Sequence, residues 1–67
     1  MNSWLAQVFA AGAVAQGNIV RRKRASVIRY ASLAELQREV RRRGFHMIYC
    51  GDQVIVICNT GAVRIIC

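Results

Sequence analysis

The chain contains no proline. Proline-rich linkers and polyproline recognition tracts are therefore excluded. Acidic residues are almost as scarce, with Glu35, Glu39 and Asp52 the complete set. His46 is the only histidine. A general acid and base need two titrating groups placed together, and these four residues each have a plainer role. Glu35 and Glu39 lie one helical turn apart among arginines that can pair with them. Asp52 follows Gly51, where aspartate suits a turn. His46 stands alone in an apolar run, as packed or edge histidines commonly do. The glycines are too sparse for a phosphate loop, and no GxxxxGK[ST] occurs. No catalytic constellation is expected, and no cofactor.

Cysteine is limited to Cys50, Cys58 and Cys67. There is no CxxC and no second ligand cluster, so the spacings of zinc sites are missing. An odd count does not suit a disulfide framework. All three lie in apolar runs of β-forming residues, where a free thiol behaves as a small hydrophobe. Unpaired structural thiols imply a reducing compartment, so a cytoplasmic location is expected. His46 and Cys50 fall on one strand face but four residues apart, too far for a Cys–His nucleophile pair.

Positive charge and hydrophobic residues are what the chain has in quantity. Ten Lys+Arg against three Asp+Glu give a formal +7. Lys23 is the only lysine, and the remaining nine are arginines. Guanidinium forks match phosphate and carboxylate geometry in a way ammonium does not. The hydrophobic share is 55% in 67 residues. A single domain of this length buries only about 60% of its unfolded surface. A surplus of apolar surface that one protomer cannot cover is expected.

Four blocks follow along the chain. Ser3 to Gln16 predicts a helix, alanine-rich, capped by Ser3 and ended by a left-handed Gly17. Trp4, Leu5, Val8, Phe9, Ala11 and Ala15 cover most of its circumference. The apolar stretch 4–15 has its basic residues after it, the reverse of a signal peptide, although Ala13-Val14-Ala15 resembles a cleavage site. Extended to Val20 it includes Gln7, Gln16 and Asn18, against the roughly 18 apolar residues of a spanning helix. A packing helix is the first expectation, with a membrane segment over 4–20 or a cleaved signal as alternatives. Residues 1–17 can then sit at the periphery of an 18–67 core within one 1–67 domain.

Asn18 to Ala31 holds Arg21-Arg22-Lys23-Arg24 between Ile19-Val20 and Val27-Ile28-Arg29-Tyr30. Either flank can form a short strand, and the basic run suits an exposed loop or sheet edge. The third block is a helix. Ser32-Leu33-Ala34-Glu35 is a capping box, Leu33, Leu36 and Val40 make the apolar stripe, and Gly44 stops it. Arg41, Arg42 and Arg43 suit its C-terminal dipole, and Glu39–Arg43 and Glu35–Arg38 are spaced to pair.

The fourth block predicts a β-meander of 45–50, 54–58 and 62–67. Gly51-Asp52 fits a II′ turn, and Asn59-Thr60-Gly61 a three-residue loop with Gly61 left-handed. The first turn places Tyr49–Val54, Met47–Val56 and Phe45–Cys58 on one face, Ile48–Ile55 and His46–Ile57 on the other. Both faces are apolar, whereas a sheet with one wet face alternates with polar residues. One helix covers one face, so the other is left to the N-terminal helix or to a second chain in a homodimer.

The fold expected is α+β: an N-terminal helix, a short strand or basic loop, a capped second helix and a C-terminal three-stranded antiparallel meander. From residue 32 onward the helix–strand–strand–strand order, with Arg43-Gly44-Phe45 leading into the meander, resembles the double-stranded-RNA-binding-like fold of HicA-type mRNA interferase toxins. That family's catalytic histidine lies in the meander, and residues 53–67 hold no histidine. The resemblance therefore implies neither site nor activity.

The function expected is non-enzymatic binding of nucleic acid or another polyanion. Its residues are Arg21, Arg22, Lys23, Arg24, Arg38, Arg41 and Arg42, with Tyr30, Phe45 and Tyr49 available to stack on bases if exposed. The alternative is a small interaction module, an inhibitor or accessory subunit. It docks on an acidic protein surface or dimerises through its sheet.

Overall fold

A computed structural model describes residues Met1 to Cys67. The protein is α+β, with four helices and one three-stranded antiparallel sheet. Helix α1 spans Ser3–Ala10 and α2 spans Gly12–Ala15. The single helix expected to Gln16 is interrupted at Ala11, whose ψ of 144° is extended. Its cap is Asn2 rather than Ser3: the Asn2 Oδ1 accepts the Leu5 amide at 2.8 Å. Asn2 also donates through Nδ2 to the Tyr30 carbonyl, tying the chain start to the middle of the sequence. Gly17 has the left-handed conformation expected of it, with φ of 73°.

Strand β1 (Ile19–Lys23) takes in most of the basic run. The flank beyond it, which the sequence also allowed as a strand, is helix α3 (Arg24–Tyr30). Its β-forming residues are overridden by packing: Val27 is completely buried, while Ile28 is left outside. Helix α4 (Leu33–Arg42) follows, with the Ser32 hydroxyl accepting the Glu35 amide at 3.0 Å. Gly44, at φ 73°, ends it.

Strands β2 (His46–Cys50) and β3 (Gln53–Ile57) form the expected hairpin. Its register pairs Tyr49 with Val54, Ile48 with Ile55, Met47 with Val56 and His46 with Ile57. Gly51 has φ of 59° and Asp52 is not in the left-handed region, as a II′ turn requires.

The third strand is not the one expected. The sheet order is β1-β3-β2, so β1 occupies the edge of β3 that residues 62–67 were expected to fill. Two backbone bonds bracket that pairing, Cys58 N–H to the Asn18 carbonyl and Arg24 N–H to the Asp52 carbonyl. Residues 62–67 form no regular structure. The cause is local as well as competitive. Asn59 Oδ1 accepts the Gly61 amide at 2.7 Å, and Gly61 is not left-handed, so the three-residue hairpin loop does not form. The Gly61 carbonyl is instead held by His46 Nε2 at 2.6 Å, which draws the chain away from the β3 edge. The helix–strand–strand–strand order behind the toxin-like resemblance is therefore one strand short.

Helices α1, α3 and α4 all bury residues on one side of the sheet. The core joins Leu5, Val8 and Phe9 of α1, Val27 of α3, and Leu36 and Val40 of α4 to Val20, Val54, Val56 and Cys58. Helix α1 thus supplies three of the ten core residues. Val54 and Val56 alternate with Ile55 and Ile57 along β3, so the latter pair lie on the opposite face. The N-terminal helix does not wrap around to cover them.

Candidate polyanion-binding surfaces

Strand alternation splits the β1 cations. Arg21 pairs with Ile55 and Lys23 with Gln53, which places both on the outer face, about 7 Å apart along the strand. Arg22 pairs with Val54 and so lies on the helix side. Its Nη1 donates to the Arg21 carbonyl at 2.7 Å. Together with Gln53 these three side chains line a shallow open depression at the sheet edge. Gln53 was not anticipated, because its proximity depends on the β1–β3 pairing between residues thirty apart in sequence.

The second cluster is on α4. Arg38 and Arg41 are both exposed, and with Ala34 and Gln37 they line another open depression. Their spacing of three puts them on one helix face. Arg42 is different. Its Nε and Nη2 both bind the Glu39 carboxylate, and Arg43 Nε adds a third bond at 2.8 Å. Those two guanidiniums hold the Glu39 carboxyl down at about 2, and the carboxylate raises the Arg42 pKa in return. The expected Glu39–Arg43 pair is present, whereas Glu35 has no ion-pair partner. No residue lines both depressions. They sit on different elements, β1 at one edge of the sheet and α4 against β2 at the other.

Arg24, the last of the basic run, caps no open surface. Its guanidinium lies over the Tyr49 ring at 4.4 Å, and its buried Nε has no hydrogen-bond partner. The aromatics are similarly occupied. Tyr30 stacks on Trp4 at 5.9 Å and carries Arg29, while Phe45 is partly buried against the core. Arg43 lies over Phe9 at 4.4 Å. Stacking of bases on Tyr30, Phe45 or Tyr49 would have to displace these contacts.

The remaining reactive groups are dispersed. Cys50 and Cys67 are exposed, Cys58 is buried, and none is bonded to another. Burial pushes the Cys58 thiol up, which suits a packed sulfur. No three His, Cys, Asp or Glu side chains come together as metal ligands. No helix is long and apolar enough to cross a membrane. No known protein family, curated protein or solved structure matches the chain with significance.

Proposed function

We propose that the protein is a non-enzymatic module that binds nucleic acid through phosphate contacts from Arg21 and Lys23 on β1 and Arg38 and Arg41 on α4. One observation supports this above the rest. Of ten cationic side chains, only Arg42 and Arg43 are in ion pairs, both with Glu39, which leaves eight without a carboxylate partner. Unbalanced like charge works against compactness and attracts polyanions over a long range. Arg22, Arg24 and Arg42 are already engaged by the fold, so they add field rather than direct contacts. With the aromatics occupied, the contacts are to the phosphate backbone and carry little sequence preference.

Fluorescence anisotropy with labelled duplex and single-stranded oligonucleotides, over a salt series, tests this reading. Four phosphate contacts predict a log–log salt slope of about −3 to −4. Replacing Arg38 and Arg41 together with alanine should make the slope shallower by roughly two. No binding at low salt removes the reading. Binding without salt dependence removes its mechanism.

A further inference from the structure

The outer face of the sheet remains unexplained by nucleic-acid binding. Its cross-strand rows are Ile19–Ile57–His46, Arg21–Ile55–Ile48 and Lys23–Gln53–Cys50. Ile19 is 55% exposed and Ile48 38%, though both are in regular strands. No helix packs on them, because the buried sheet residues Val20, Val54 and Val56 all belong to the other face. The tail leaves the body beside this face, where the His46 ring holds the Gly61 carbonyl. In it Ile65 is 76% and Ile66 86% exposed, with Arg64 between Val63 and Ile65. Isoleucines and the unpaired cations Arg21 and Lys23 therefore share one face of the sheet, meeting in the central row.

We propose that this face and the tail 62–67 dock on an anionic phospholipid surface. Charge complementarity selects this occupant. Arg21, Lys23 and Arg64 flank the isoleucines and carry no carboxylate partner. A membrane-surface binder needs that combination: shallow apolar insertion with cations reaching back to the headgroups. The central strand β3 is bonded on both sides within the sheet, so its backbone brings no unpaired groups to the acyl boundary. A second copy of the chain is a poorer fit. It brings the same +7. Three strands of five residues also span only about 14 by 17 Å of sheet, a small patch beside what a stable dimer interface buries. A bilayer imposes no such minimum.

The proposal does not depend on nucleic-acid binding, although Arg21 and Lys23 would serve either ligand. The test is co-sedimentation of the full chain with vesicles of phosphatidylcholine alone, and with roughly one-third phosphatidylserine. The chain should partition onto the anionic vesicles and stay free of the neutral ones. Ile48→Ser and Ile65→Ser should each weaken partitioning about tenfold, and Arg21→Ala about fivefold. Circular dichroism confirms that each variant is folded. The two serine variants should bind oligonucleotides as the parent does. Conversely, Arg38→Ala with Arg41→Ala should weaken oligonucleotide binding and leave the vesicles bound, so the two readings can fail separately. Three outcomes overturn the proposal: no partition onto either vesicle, serine variants that bind lipid like the parent, or light scattering that shows a dimer lost in Ile48→Ser.

Discussion

Along β3, Val54 and Val56 point toward three helices, while Ile55 and Ile57 point toward none. The two faces have similar apolar content and opposite surroundings. The difference lies in the connections. α3 continues from β1 without a loop, α4 follows α3 after Ala31 and Ser32, and α1 is tied to the end of α3 by the Asn2–Tyr30 bond. These short links keep all the helices on one side. Apolarity alone therefore does not determine which face is buried. In a chain of 67 residues there is one helical layer to place, and the other face remains open.

The largest expected effect sharpens that contrast directly. Leu36 is 2% exposed, on the helix that covers the inner face. Leu36→Ala should cost about 2–5 kcal/mol, the usual range for a core truncation that leaves a cavity. Ile48→Ala on the outer face should cost less than about 1 kcal/mol, since solvent already reaches the side chain. Urea unfolding of the two variants measures the difference. Equal losses would mean that the outer face is covered as well.

Next in size is the turn that decides which residues point where. A slip of one residue in the β2–β3 register would exchange the faces. Gly51 guards against it with a φ of 59° that a side chain resists. Gly51→Ala should cost about 1–2 kcal/mol. It meets no steric obstacle, because nothing lies within 4 Å of the added carbon. The loss should thus appear in the unfolding midpoint with the native spectrum retained. A changed spectrum would indicate that the register had moved.

A smaller effect concerns the hold of α4 on the inner face. Glu39 gathers Arg42 and Arg43, and Arg43 in turn lies over Phe9. The Glu39 carboxyl titrates at about 2 in the fold against 4.5 for the free group. A depressed acid contributes its full stabilisation above the unfolded value and loses it as pH falls through the folded one. Stability should therefore decline between about pH 4.5 and 2. Glu39→Gln should lose that part of the slope and be less stable than the parent at neutral pH. Thermal melts across the acid range test this, and an unchanged slope in the variant would separate Glu39 from the effect. Exposure of Arg42 keeps the contribution modest.

The sequence disclosed the local parts of this fold and missed the distant one. The II′ turn, the hairpin register, the Ser32 cap and the Gly44 stop follow from residues within a few positions of each other. So does the Glu39–Arg43 pair. The partner of the β3 edge does not. Residues 62–67 and 19–23 are both strand-forming, and local pattern cannot rank two competitors for one edge. The basic run suits a loop or a sheet edge equally by pattern, and it takes the edge, where its cations project from the two faces. The candidate site was legible as a list of cations but not as surfaces. Strand alternation separated Arg22 from Arg21 and Lys23, and Glu39 removed Arg42. Tyr49 took up Arg24 in a contact that no spacing suggests.

That competition for the β3 edge supplies the smallest expected effect. If 62–67 were the third strand, removing it would strip a buried edge and cost several kcal/mol. With β1 in that place, truncation after Gly61 should change stability by less than about 0.5 kcal/mol, as for other exposed segments. Ending the chain at Gly61 leaves a terminal carboxylate oxygen for His46 and the Gly61 amide for Asn59, so the anchor of the tail is preserved. A melting temperature within a degree or two of the parent is the expected result. A larger drop would place the tail along the free edge of β2, and would make the outer face of the sheet wider by one strand than β1, β3 and β2 alone provide.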